Sequence, residues 1–113
     1  MKKILLLALG VVVLNTNLMA KMKYKSEDLT FKQAKYRCDH NKDAEACMWA
    51  GVKAWSKRKD KLGFIYSKKG CDLKDANACL NTAYNYKKGY GVKKSKKMAD
   101  KYYKLWRELK AKK

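Results

Sequence analysis

The sequence predicts an all-α protein, an α/α superhelix or solenoid of about two and a half helix-pair repeats with two disulfides. Three observations predict it. The 113-residue chain is 47% hydrophobic and contains no proline. Its four cysteines fall in two similar segments, CDHNKDAEAC and CDLKDANAC. Its apolar residues recur at the three-and-four spacing of amphipathic helices. This composition excludes a disordered basic tail, a collagen-like chain and a multidomain enzyme.

Residues 1–20 have the organisation of a secretion signal. Three residues, Met-Lys-Lys, begin the chain, an apolar run extends from Ile4 to Leu14, and a more polar stretch ends at Ala20. The apolar run is shorter than the roughly 20 residues that a membrane-spanning helix needs. We therefore expect cleavage after Ala20 and an exported mature chain that is periplasmic or secreted.

The mature chain, residues 21–113, is predicted to be a single domain of repeats. The first cysteines of the two segments, Cys38 and Cys71, and the second cysteines, Cys47 and Cys79, are separated by nearly the same length of chain. That length is within the period of helical-pair solenoids, about 33 residues. The predicted parts are a leading half-repeat, two repeats and a basic C-terminal end, at 29–37, 38–70, 71–106 and 107–113.

Five helices are expected, and each has a local signal in the sequence. Their predicted ranges are 29–37, 44–56, 60–69, 76–88 and 96–110. Asp43, Asp75 and Ser95 are suited to cap the second, fourth and fifth helices, because a short polar side chain accepts a hydrogen bond from the first turn. The fifth helix has one apolar face, made by Met98, Tyr102, Leu105 and Leu109.

The two repeats differ in the turn between their helices. Gly89 and Gly91 supply a turn in the second repeat. After the turn, Gly63 of the first repeat aligns with Ala99 of the second. These two residues are four positions farther apart in the sequence than Cys47 and Cys79, which align before the turn. The first repeat therefore lacks four residues at its turn.

An even number of cysteines in a short exported chain predicts two disulfides. Of the three pairings that are possible, the spacing within each repeat favours Cys38 with Cys47 and Cys71 with Cys79. Each bridge then closes a short loop inside a helix hairpin and contributes about 2.6 kcal/mol in the chain-entropy model. Zinc ligands favour spacings of two to four, and catalytic redox pairs use Cys-x-x-Cys, so we expect no metal site.

The segment from Cys71 to Trp106 resembles a Sel1-like repeat. It contains Cys-x7-Cys with an internal Asp-Ala, then a small residue and Tyr, then Lys-Gly-Tyr-Gly-Val, and then Ala-x-x-Tyr-Tyr. With its cysteines, the chain is similar over residues 30–110 to the helicobacter cysteine-rich protein family. The resemblance implies exported, TPR-like α/α repeats stapled by disulfides, and a penicillin-binding protein with weak β-lactamase activity.

The residues themselves supply no catalytic signature for that enzyme. A serine β-lactamase uses Ser-Asp-Asn and Lys-Thr-Gly elements, and the sequence contains neither. The residues from Ser56 to Lys59 match Ser-x-x-Lys, but 26 lysines make about one such match expected by chance. The single histidine, His40, has no second histidine with which to build a metal site. The catalytic residues are therefore unknown, and no cofactor is expected.

The leading prediction is a binding module, because stacked helix pairs form a groove that holds peptides or proteins. The partner would be a peptide, a protein or a cell-wall-derived fragment. Aromatic side chains dominate binding hot spots but also fill the space between helices, and both roles remain open here. Tyr90, in the turn, and Trp55, at a helix end, are expected to be the most exposed. The candidate ligand-binding residues are Trp49, Trp55, Tyr84, Tyr86, Tyr90 and Tyr103.

The charge suggests a second alternative. Without Lys2 and Lys3 the mature chain has 27 basic and 10 acidic residues, a net charge of +17. Only three of the 27 are arginines, which argues against specific nucleic-acid recognition. Lysine runs such as 93–97 would bind an anionic membrane surface or another polyanion, or simply keep the protein soluble. A homodimer through the first or last helix is a further expectation for so short an array.

Overall fold

The computed structural model describes residues 28–112, so the predicted signal segment and Lys113 lie outside the described residues. The described part contains five α-helices and no strand, which confirms the all-α prediction. The helices are α1 (Phe31–Asn41), α2 (Ala44–Ser56), α3 (Asp60–Asp72), α4 (Ala76–Lys88) and α5 (Lys96–Ala111).

Three predicted helices needed correction at their ends. Helix α1 begins two residues later than predicted, because Thr30 and Gln33 form a capping box there. It then continues past position 37 to Asn41, so Cys38 and His40 are helical rather than part of a loop. Helix α3 likewise continues to Asp72, and α5 continues to Ala111, one residue past its predicted end.

The other helix starts follow the predicted caps. The carboxylates of Asp43 and Asp75 accept hydrogen bonds from the first turns of α2 and α4, and the hydroxyl of Ser95 accepts one from the first turn of α5. Each cap satisfies one of the backbone N–H groups that a helix start leaves without a partner. The ranges of α2 and α4 are therefore those predicted.

Each helix packs on its neighbours in the chain, and α2 also contacts α4. One buried cluster lies among α1, α2 and α3 and includes Ala50 and Tyr66. A second cluster, which includes Ala83 and Tyr102, reaches from α2 to α5. Trp49 packs against both clusters and makes the core continuous. Successive hairpins that share one core are the arrangement used by helical-pair solenoids.

The disulfides join Cys38 to Cys47 and Cys71 to Cys79, as the spacing predicted. The first links α1 to α2 and the second links α3 to α4, with Cα–Cα distances of 4.6 and 4.4 Å. All four cysteines are buried. Such bridges persist in an oxidising compartment, as expected for an extracellular or periplasmic protein. Within residues 28–112, every helix is too short or too polar to cross a membrane.

Helices α2 and α3 approach each other closely. A Cβ atom on Gly51 would lie 2.5 Å from the hydroxyl oxygen of Ser67 and 3.0 Å from the carbonyl oxygen of Gly63. Because neither glycine has a side chain, the two backbones meet where larger residues would separate them. This close crossing forms the floor of the site described below.

Candidate functional site

A cleft of about 130 Å³ opens between α2 and α4, with α3 beneath it. Its buried floor includes Gly63 and Ser67 of α3. Two large aromatic side chains stand at its rim, Trp55 at the end of α2 and Tyr84 on α4, with exposed fractions of 49% and 42%. Since large hydrophobic side chains are usually buried, this pair marks the cleft as a candidate binding surface.

Tyr90 connects the two rim residues. Its ring centroid lies 6.2 Å from that of Trp55 and 6.0 Å from that of Tyr84. Such centroid distances are within the range of favourable aromatic pairs. The ammonium group of Lys88 lies 5.8 Å from the centroid of the Tyr84 ring and places a positive charge at the same rim.

Three polar side chains line the cleft: Asn81 and Asn85 on α4, and Ser67 on α3. None of them forms a side-chain hydrogen bond with another described residue, and none has a fully buried polar atom. Their donors and acceptors are therefore available to a ligand. An apolar cleft with a few convergent polar groups is the usual composition of a binding site.

The six predicted ligand-binding residues separate into two groups. Trp55, Tyr84 and Tyr90 come together at the cleft, and Trp55 is exposed, as expected for its position at a helix end. Tyr90 is only partly exposed because it packs against the other two rings.

The remaining three have structural contacts. Trp49 fills the space between the two core clusters. Tyr86 stacks on Tyr102 at 5.6 Å and meets the edge of Phe64 at 5.3 Å. Tyr103 is half-buried against the second cluster.

Sequence reasoning missed the polar part of the cleft. Asn81 and Asn85 lie one helical turn apart and flank Tyr84, a spacing that places all three on one face of α4. That pattern was available from the sequence. The position of Ser67 was not, because it depends on how closely α3 approaches α2.

The Ser-x-x-Lys match begins at Ser56, the last residue of α2. The hydroxyl of Ser56 donates a hydrogen bond of 2.7 Å to the carbonyl oxygen of Lys53, and the side chain is exposed at the end of α2. His40 is exposed on α1, where its ring lies 4.3 Å from that of Tyr36. Among residues 28–112, no three His, Cys, Asp or Glu side chains are grouped to hold a metal ion.

A separate polar network joins α1 to α3. Asp39 accepts hydrogen bonds from the Tyr66 hydroxyl and the Lys69 ammonium, both at 2.9 Å, and from Lys35 at 3.1 Å. Desolvation raises the pKa of Asp39, but these three donors outweigh it and lower the pKa to about 2. Burial and the same carboxylate raise the pKa of Tyr66. The network fastens the half-repeat to the first full repeat.

These features define the class of protein: a small, disulfide-stapled array of helical hairpins with an aromatic-rimmed cleft between its repeats. Compared with protein-family models, curated proteins and solved structures, the chain matches none of them.

Proposed function

We propose that this chain is an exported interaction module whose cleft binds a short peptide segment, from a partner protein or from a cell-wall-derived fragment. The observation that carries the proposal is the cleft itself: exposed Trp55 and Tyr84 flank polar side chains that have no hydrogen-bond partner among the described residues. The two disulfides support an oxidising location.

The spacing of the two asparagines suits an extended peptide. Side chains four residues apart on a helix are separated by a rise of about 6 Å. Alternate residues of an extended chain, which face the same way, are about 7 Å apart. Each amide side chain offers one donor group and one acceptor, as a peptide bond does, so Asn81 and Asn85 can pair with successive same-facing backbone groups.

The aromatic rim would hold one apolar side chain of that peptide. The cleft volume of about 130 Å³ is well below the roughly 300 Å³ at which small-molecule pockets begin. A peptide that lies across the cleft and inserts a single side chain fits this size better than an enclosed small molecule. The Lys88 ammonium beside Tyr84 favours an anionic group next to that anchor.

The test uses the oxidised mature chain and two probes: a random-sequence heptapeptide pool and a peptidoglycan stem peptide. We expect binding to shift the NMR signals of the Asn81 and Asn85 side-chain amides and of the Trp55 indole. Tyr84→Ala should weaken binding about tenfold, since buried aromatic anchors contribute most of the affinity of a small interface.

Tyr36→Ala is the matched control, because Tyr36 is an exposed tyrosine on α1, away from the cleft. Equal weakening by both variants, or shifts confined to other surfaces, would contradict the proposal. Turnover of a chromogenic β-lactam by the same sample, lost in Ser56→Ala, would favour the enzyme that the family resemblance implies.

A further inference from the structure

The α4–α5 hairpin has a hollow of about 480 Å³, lined by residues of α4, α5 and the connection between them. Its base includes Ala99, which is buried, and Tyr103, which is half-buried. Four lysines surround this base: two end α4, one lies in the connection, and one begins α5. They are Lys87, Lys88, Lys94 and Lys96.

This hollow is the counterpart of the cleft in the next repeat. When the two repeats are aligned, Ala99 takes the position of Gly63 and Tyr103 that of Ser67. In the first repeat, α4 packs beside these positions and forms the opposite wall of the cleft. Within residues 28–112, no helix covers the same side of the second repeat, so this wall is missing.

The charge of the hollow restricts what can supply the missing wall. Asp100 is the acidic residue that lines it, and its carboxylate pairs with Lys96 at 3.5 Å. In the described part of the chain, no carboxylate lies within ion-pair distance of Lys87 or Lys94. A second copy of this chain, whose mature part has a net charge of +17, would bring like charges together. A segment that carries carboxylates would instead complement the four lysines.

We propose that this face docks an acidic helical segment of another protein, in the position that α4 takes on the first repeat. Small apolar residues of the segment would pack on Ala99 and Tyr103, and its carboxylates would meet the surrounding lysines. This surface is distinct from the peptide cleft: lysines surround the hollow, whereas aromatic rings stand at the rim of the cleft.

The probe is a stapled helical peptide of 13 residues, the length of α4, with alanine and leucine on one face and glutamate on the other. Binding should shift the backbone signals of Ala99 and Tyr103. The double variant Lys87→Glu with Lys94→Glu should weaken binding about tenfold or more, since two attractions become repulsions. Arginine at both positions should preserve binding. Lys88 is left unchanged because it also lies beside Tyr84.

The matched control, Lys32→Glu with Lys42→Glu, makes the same change of net charge at exposed positions on α1 and directly after it, and α1 packs on α2 and α3. It should weaken binding by less than about twofold, because neither lysine lines the hollow and salt screens exposed charges. Tyr84→Ala should leave this binding unchanged while it weakens peptide binding at the cleft about tenfold, so the two proposals fail separately.

Four outcomes would overturn the inference. The control could weaken binding as much as the lysine variant of the hollow, or a scrambled peptide of equal composition could bind as well. Sedimentation could instead reveal that copies of the chain associate through this face. Phosphatidylglycerol vesicles that bind more tightly than the peptide, and lose binding in the lysine variant, would assign the surface to a lipid.

Discussion

The hairpins α2–α3 and α4–α5 have the same arrangement of helices, but they differ in the length of the connection and in the residues at the helix crossing. Three residues, 57–59, connect the first pair, whereas seven, 89–95, connect the second. At the helix crossing the first hairpin has Gly51 and Gly63, and the second has Ala83 and Ala99 at the equivalent positions. A Cβ on Gly63 would lie 3.2 Å from the carbonyl oxygen of Gly51. The short connection thus accompanies a crossing where an added Cβ would require its neighbours to shift, while the hairpin with the longer connection has alanine at both positions.

The longer connection uses its extra residues to reach back to the first repeat. Tyr90 contacts Trp55 of α2, and Gly91 packs directly against the backbone of Asp60 at the start of α3. The difference of four residues therefore accompanies a contact between the repeats, and Tyr90 of the longer connection packs against both rim residues of the cleft. The longer connection therefore matters because it places Tyr90 and Gly91 against the first repeat.

The polar contacts also differ between equivalent positions. Lys35 pairs with Asp39 as Lys68 pairs with Asp72 one repeat later. The Asp39 carboxylate also forms an ion pair with Lys69, but the equivalent of Lys69 in the next repeat is Leu105, which cannot form one. The Asp39 side chain is consequently 24% exposed with three donors, while that of Asp72 is 58% exposed and pairs with Lys68. The repeats share a backbone plan without sharing the chemistry between helices.

The largest expected effect tests the contact between the repeats. Gly91 has a φ of 70°, and a Cβ there would overlap the carbonyl group of Asp60. We expect Gly91→Ala to lower the free energy of unfolding by about 3 kcal/mol, because left-handed strain and a backbone clash add together. Chemical denaturation of the oxidised protein measures this loss.

Gly89→Ala is the control for that experiment. Gly89 has a similar φ of 75° and ends α4, but a Cβ there would lie 3.4 Å from its nearest neighbour, in ordinary contact. It should cost about 1 kcal/mol, the left-handed penalty alone. If the two variants lose the same free energy of unfolding, the close approach of Gly91 to Asp60 contributes nothing to stability. The longer connection would then not stabilise the contact between the repeats.

A smaller effect is expected from the carboxylates. Asp39→Asn should cost about 1 kcal/mol after solvent screening, since it removes the charge that three donors share. Asp72→Asn at the equivalent position should change stability by about 0.3 kcal/mol, as for other exposed pairs on a helix. Similar losses would contradict the assigned difference between the two networks.

The same comparison has a pH signature. The pKa of Asp39 in the folded protein is about 2, below its ordinary value of 3.8. Because the folded-state pKa is lowered, the contribution of Asp39 is complete above about pH 4 and is lost as the pH falls towards 2. The difference in unfolding free energy between the parent and Asp39→Asn should therefore shrink across that interval. A difference that stays constant from pH 5 to pH 2 would exclude the carboxylate as its cause.

Local signals predicted most of this fold. The aspartate caps and alanine-rich starts set α2 and α4, and cysteine spacing within each repeat gave the disulfide pairing. The predicted end of α1, at position 37, was wrong. The helix ends at Asn41, where Lys42 takes a left-handed conformation and no glycine marks the stop in the sequence. For the cleft, Trp55 and Tyr90 were expected to be exposed from their positions alone. Ser67 was not predicted, since its place depends on the tertiary approach of α3 to α2.

The smallest expected effect concerns the short connection. Arg58 adopts a φ of 61°, a conformation that glycine takes without cost. Arg58→Gly should raise the free energy of unfolding by about 0.5 kcal/mol, because relief of left-handed strain exceeds the added entropy of the unfolded chain. Lys57→Gly is the matched control: Lys57 has a φ of −97°, so only the entropic loss remains, and that variant should be destabilised by about 0.5 kcal/mol. Opposite signs in the two denaturation curves would locate strain at Arg58, whereas destabilisation by both would show that the three-residue connection is as relaxed as the glycine-containing one.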